Sequence, residues 1–117
     1  MNEPVVLPEA EPLSHEGSTP TGVLVLHGFT GNPSSMRGIA EALAALDHHV
    51  EMPRLPGHGT TVEEMVTTGW ADWTAEVGAA HARLAERADH IVVVGLSMGG
   101  SLTLWSGLEL PKIVGLV

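Results

Sequence analysis

Ser97 stands in the run Gly95-Leu96-Ser97-Met98-Gly99, directly after the apolar stretch His90-Ile91-Val92-Val93-Val94 and before a helix-compatible segment from Gly100 to Leu108. A buried strand, a Gly-flanked serine and then a helix form the context of a nucleophile elbow. The chain must turn sharply at the serine, which forces it into a sparsely populated φ/ψ region. Glycines on either side remove the Cβ atoms that would clash there. The hydroxyl is then held above the end of a sheet, at the positive end of a helix, where it can act as a nucleophile in acyl transfer. At this glycine content the pentapeptide arises by chance about 0.1 times in such a chain, so its context carries the weight. A second apolar strand, Gly22-Val23-Leu24-Val25-Leu26, ends in His27-Gly28-Phe29-Thr30-Gly31, where acyl transfer needs a backbone donor for an oxyanion.

The elements that must position these residues alternate in type. Strands are expected at 22–26, 49–53, 91–95 and 113–117, the last two being nearly continuous Val, Ile and Leu, as in parallel sheets covered on both faces. Between them, Met36, Ile39, Ala40, Leu43 and Leu46 recur at helical spacing over 33–47, with Asn32 as a cap and Pro33 in the first turn. A second helix is expected over 70–88, its apolar stripe formed by Trp70, Trp73, Val77, Ala80, Leu84 and Ala88. A third begins at the serine. Such alternation predicts right-handed parallel crossovers and an α/β sheet. Residues 1–20 hold four of the eight prolines and read as a loose arm with a short edge strand near residues 4–7. The chain stops on the apolar strand 113–117, which would leave a sticky edge, so the sequence is expected to be the N-terminal part of a longer protein.

Composition narrows the classes. With 117 residues the chain holds one small domain. The net charge of −9 repels phosphate backbones and anionic headgroups, which argues against nucleic-acid binding. There is no cysteine, so disulfides, thiol catalysis and Cys-ligated zinc are excluded within the chain. No stretch has the length of a transmembrane helix and the acidic, Pro-rich start is no secretory signal; a cytoplasmic location is the expectation. No metal-ligand spacing stands out, since the adjacent His48 and His49 would point apart on a strand. The glycines fit neither a phosphate loop nor a dinucleotide fingerprint, and no cofactor is expected.

The three segments His27-Gly28-Phe29-Thr30-Gly31, Arg54-Leu55-Pro56-Gly57-His58-Gly59 and Gly95-Leu96-Ser97-Met98-Gly99-Gly100 occur in an order and spacing that resemble the α/β-hydrolase-fold enzymes. The chain is most similar to bacterial carboxylesterases and monoacylglycerol lipases, which also carry a counterpart of Thr68-Gly69-Trp70-Ala71-Asp72-Trp73 before their second helix. The resemblance covers about residues 21–117. It implies an α/β-hydrolase parallel sheet flanked by helices, present as its N-terminal half. It also implies that Ser97 is the nucleophile, that the backbone N–H groups of Phe29 and Met98 form the oxyanion hole, and that the substrate is a small acyl ester. A serine nucleophile sets the chain apart from branches that use aspartate, such as haloalkane dehalogenases and epoxide hydrolases. The family's catalytic acid, histidine and cap come later than anything in this sequence: after Ser97 there is one carboxylate, Glu109, and no histidine.

Serine needs a base, and the base an orienting group. Of the seven histidines, His48, His49 and His90 flank strands at the wrong end, His81 lies mid-helix and His15 in the arm. His27 and His58 lie at the right end without an evident carboxylate, and read as residues that hold their loops by hydrogen bonds. Arg54 reads as a surface ion-pair partner, Trp70 and Trp73 as core, Gly57 and Gly59 as turn residues, and Gly99 and Gly100 as allowing close helix–strand packing. Two other readings stand beside the esterase: a catalytically silent α/β module that binds a partner, and a thioesterase, carbon–carbon hydrolase, perhydrolase or acyltransferase on the same fold.

Overall fold

A computed structural model of the chain describes residues 5–28 and 31–117. The strands β1 (Leu13–His15), β2 (Thr21–Leu26), β3 (His49–Met52), β4 (His90–Gly95) and β5 (Ile113–Leu116) form one sheet in the order β1-β3-β2-β4-β5. The pairs β2–β3, β2–β4 and β4–β5 are parallel, as the alternation predicts, whereas β1 runs antiparallel to β3. The helices are α1 (Arg37–Ala45), α2 (Val62–Met65), α3 (Trp70–Ala85) and α4 (Met98–Glu109).

Side chains alternate across a strand, and β2 uses both faces. Val23 and Val25 join Val50, Met52, Met36 and Ala40 beneath α1. Leu24 and Leu26 join Ile91, Val93, Val77, Leu84 and Leu102 beneath α3 and α4. This two-sided burial is why the strand reads as a continuous apolar run.

The N-terminal segment departs from expectation. The edge strand is Leu13–His15 rather than residues 4–7; Pro4 lies outside the described residues. Pro8 enters a 3₁₀ turn over Pro8–Ala10, and the fixed φ of proline favours that turn over a strand. Residues 7–17 are tied to the rest of the domain. Leu7 N–H donates to the Gly59 carbonyl at 2.9 Å, Gly17 N–H donates to His49 Nδ1 at 3.0 Å, and Ala10 is fully buried against Gly59.

The first predicted helix divides into a 3₁₀ turn over Pro33–Met36 and α1, with the Asn32 side chain accepting from Ser34 N–H as a cap. Ile39 and Leu46, placed on its apolar stripe, are 46% and 65% exposed, because α1 meets the sheet through Ala40, Leu43 and Ala44. Trp70, at the first turn of α3, is likewise 44% exposed rather than core. The helix α3 stops at Ala85, short of Ala88. The short α2 went unread although Thr61-Val62-Glu63-Glu64 carries a capping pattern; Thr61 Oγ1 accepts from Glu64 N–H at 3.1 Å.

Candidate active site

Ser97 links β4 to α4 with φ 59° and ψ −120°. This region is costly for a residue with a side chain, of order 1–3 kcal/mol, and persists only where the surroundings over-determine it. Two glycines allow it. A Cβ on Gly95 would lie 2.1 Å from the Gly99 carbonyl oxygen, and one on Gly99 would lie 2.2 Å from that of Leu26. The helix thus starts in backbone contact with the end of β2. Gly100, also read as a packing glycine, has no such need: its Cβ would approach nothing closer than 3.9 Å. Ser97 is exposed, and Met98 opens α4, where the first N–H groups of a helix have no partner within it.

The end of β2 reaches the same point. A Cβ on Gly28 would stand 3.2 Å from Ser97 Cβ and 3.7 Å from Ser97 Oγ, and Leu96 N–H donates to the Leu26 carbonyl at 3.3 Å. The two Gly-rich turns, 68 residues apart in sequence, therefore abut. Gly31 N–H closes its turn on the Gly28 carbonyl at 3.1 Å. Phe29, expected to supply an oxyanion donor, lies with Thr30 outside the described residues.

Behind this junction sits His27, fully buried. Its Nδ1 is 2.9 Å from the Gly28 carbonyl oxygen, which can only accept, so Nδ1 carries the proton. Its Nε2 accepts from Leu55 N–H at 3.0 Å, so Nε2 is bare. The ring is held neutral in one tautomer with both nitrogens engaged by backbone, which removes it as a base for Ser97. Burial lowers its pKa to about 4, the hydrogen bond to Gly28 opposes this, and nearby His58 and Arg54 add to the lowering.

The Arg54–Gly59 turn packs beside it. His58 is also fully buried, its ring 5.2 Å from that of His27 and edge-on to Trp73 at 5.7 Å. His58 Nδ1 lies 3.1 Å from the Pro56 carbonyl, which also accepts from Trp73 Nε1 at 3.1 Å. Arg54, expected in a surface ion pair, instead donates from Nη1 to the His58 carbonyl at 2.8 Å. Gly57 and Gly59 are turn residues with φ 78° and 73°. Alongside lies a cavity of about 150 Å³ bordered by Leu7, Gly31, Asn32, Thr61 and Met65.

The other histidines stand elsewhere. His48 and His90 contact Thr19 and Thr21, and His81 bonds the Pro111 carbonyl at 2.7 Å. His15 pairs with Asp47 at 3.5 Å. Among the described residues, no His or carboxylate hydrogen-bonds Ser97, no group of three or more acidic or His side chains could hold a metal ion, and no helix is long and apolar enough to cross a membrane. Sequence reasoning missed the bond from Leu55 to His27 and the contact of Gly28 with Ser97. The available signal was that the His27–Gly31 turn and the turns after Met52 and Gly95 all follow strands at the same end of one parallel sheet.

A mostly parallel sheet with a strained serine between its fourth strand and the next helix defines the class, and residues 23–117 match the alpha/beta hydrolase family, to which this chain belongs. Within that family it is 49% identical over 112 residues to a thermostable monoacylglycerol lipase of Bacillus sp. (strain H-257), an alignment covering 96% of this chain and 44% of that protein. It is 38% identical over 96 residues to a carboxylesterase of Bacillus subtilis (strain 168), covering 81% and 39%. A solved structure from work on LipS and LipT, two metagenome-derived lipolytic enzymes, superposes with a TM-score of 0.92 at 50% identity, covering 96% of this chain and 46% of its own. The chain thus spans less than half the length of the relatives it matches.

Proposed function

We propose that this chain carries the nucleophile and oxyanion portion of a cytoplasmic serine carboxylic-ester hydrolase acting on a small or medium acyl ester, with monoacylglycerols as the favoured substrates. The observation that carries the reading is the backbone of Ser97, at positive φ on the end of β4 and in contact with Gly28; similarity to a lipase and a carboxylesterase supports it. Ser97 Oγ attacks the ester carbonyl carbon while its proton passes to a base. The N–H groups of Phe29 and Met98 hold the oxyanion of the tetrahedral intermediate. As that intermediate collapses, the C–O bond to the alcohol breaks and the alcohol leaves with the proton. Water then attacks the acyl-enzyme, releasing the acid and restoring the serine hydroxyl. Neither His27 nor His58 fits the role of base, since both are buried and bonded to backbone carbonyls. The base and its orienting acid are assigned to sequence outside these 117 residues.

In the native gene product, Ser97→Ala is expected to lower kcat for p-nitrophenyl butyrate by about 10⁴-fold or more, as removal of the nucleophile does in serine hydrolases. Labelling by a fluorophosphonate should place one adduct on Ser97. Wild-type turnover in the alanine variant would sink the reading. Faster hydrolysis of a monoacylglycerol than of the matching diacylglycerol would support the substrate class, and the reverse order would reject it.

A further inference from the structure

Two hydroxyls are buried in α4, and each donates to the carbonyl four residues earlier: Thr103 Oγ1 to Gly99 at 2.7 Å and Ser106 Oγ to Leu102 at 2.7 Å. Such bonds are how a helix ordinarily satisfies a hydroxyl that it buries, and Ser106 needs no other account. Thr103 differs in what its acceptor leads to. Its hydroxyl is also packed on the last residue of β4, since a Cβ on Gly95 would lie 2.2 Å from Thr103 Oγ1.

The Gly99 carbonyl shares a peptide plane with the Gly100 N–H, which donates to the Ser97 carbonyl at 2.8 Å. The Ser97 carbonyl in turn shares a plane with the Met98 N–H. Met98 is the first residue of α4 and has no acceptor within its own helix. Among the described residues no peptide bond is cis, and in a trans peptide the N–H points opposite to the C=O. Each plane therefore takes a hydrogen bond at its carbonyl and passes one on from its N–H. Hydrogen bonds linked in this way polarise one another. The links run in one direction, from the Thr103 hydroxyl through the Gly100 N–H to the Met98 N–H. Neighbouring bonds pin both planes: Gly99 N–H donates to the Leu96 carbonyl at 2.9 Å, and Ser101 N–H gives the Ser97 carbonyl a second bond at 3.3 Å.

We infer that Thr103 is a positioning residue for hydrolysis at Ser97: its hydroxyl anchors and polarises the two peptide planes that end at the Met98 N–H, which the ester-hydrolase reading above assigns to the oxyanion. The inference rests on that reading. It explains a β-branched, polar side chain at a buried helix position where alanine or leucine would suit the helix better.

Thr103→Ser and Thr103→Ala differ by the hydroxyl alone, and Ser106→Ala deletes the matching hydroxyl one turn away, outside this chain of bonds. In the native gene product, kcat for p-nitrophenyl butyrate should fall about tenfold in T103A, less than the roughly 10²–10³-fold that follows loss of a direct oxyanion donor. T103S and S106A should both stay within about twofold of the wild-type kcat, and KM should stay within about twofold in all three variants. Equal kcat values in T103A and T103S, or a loss in S106A as large as that in T103A, would overturn the inference and leave Thr103 a packing residue. Should T103A not fold, T103C takes its place: a thiol is a weak donor, so kcat should fall about threefold, and a wild-type kcat in T103C overturns the inference. Ser97→Ala measured alongside separates the two failures. An inactive S97A with T103A as active as T103S rejects only the role of Thr103, whereas an active S97A rejects the ester-hydrolase reading itself.

Discussion

The buried polar groups around Glu51 and around His27 solve the same physical problem in opposite ways. Under α3, Glu51 of β3 is 2% exposed and ionically paired, with Arg87 Nη2 at 3.0 Å and Arg83 Nε at 3.4 Å. The hydroxyl of Ser14 on β1 donates to the same carboxylate at 2.7 Å. One residue thereby ties the antiparallel edge strand, the sheet and the helix together. At the C-terminal ends of the strands, His27 and His58 are buried as deeply but bonded to backbone. A charge can be buried where opposite charges reach it from the surface, as the half-exposed Arg83 does. At His27 burial outweighs the hydrogen bond that would favour its charged form, and that group stays neutral. The charged cluster holds elements together without depending on which proton sits where, whereas the two bonds of His27 depend on a particular tautomer.

The comparison breaks most visibly at Glu51. Glu51→Ala removes the acceptor shared by Ser14, Arg83 and Arg87 and is expected to lower stability by about 3 kcal/mol, read by urea unfolding. The kcat of the folded fraction should be unchanged, because the cluster does not touch the turns around Ser97.

His27 should respond to acid instead. The unfolded chain takes up a proton at His27 near pH 6.5, while the folded chain resists until about 4. Its contribution is full above pH 6.5, declines as pH falls towards 4, and is flat below that. At about 1.4 kcal/mol per pH unit, this difference amounts to about 3 kcal/mol. The slope should be present in wild type and absent in His27→Asn when unfolding free energies are compared from pH 7 to 4; parallel curves would remove the neutral-histidine account.

The smallest effect concerns the outer edge of the group around His27. Trp73→Phe keeps the ring against His58 but deletes the Nε1–H donor to the Pro56 carbonyl. A loss of about 1 kcal/mol is expected, with a lower melting temperature and no change in the acid slope.

Much of this was legible from residue types. The strands β2 and β4 announce themselves because both faces are covered, and Ser97 because only glycine fits the positions two residues to either side. Strand β1 did not, since Leu-Ser-His is too short to show a period and its partner strand lies 37 residues away, Ser14 facing Glu51. Periodicity identified the apolar stripes of α1 and α3 but not how far the sheet extends beneath them, so Ile39, Leu46 and Trp70 were misplaced. That His27 holds its loop by hydrogen bonds was legible; its second partner, the Leu55 N–H, was not, because every residue but proline carries a backbone N–H. The same holds for Arg54, whose acceptor is the carbonyl of His58.

The glycines at 95 and 99 carry a consequence for how such a chain can change over generations. Every missense change in a glycine codon introduces at least a Cβ, and at both positions a Cβ would fall within about 2 Å of a backbone oxygen. Even the smallest change, to alanine, would force backbone to move at either codon, so the two positions tolerate substitution only together with a shift of the turn they permit.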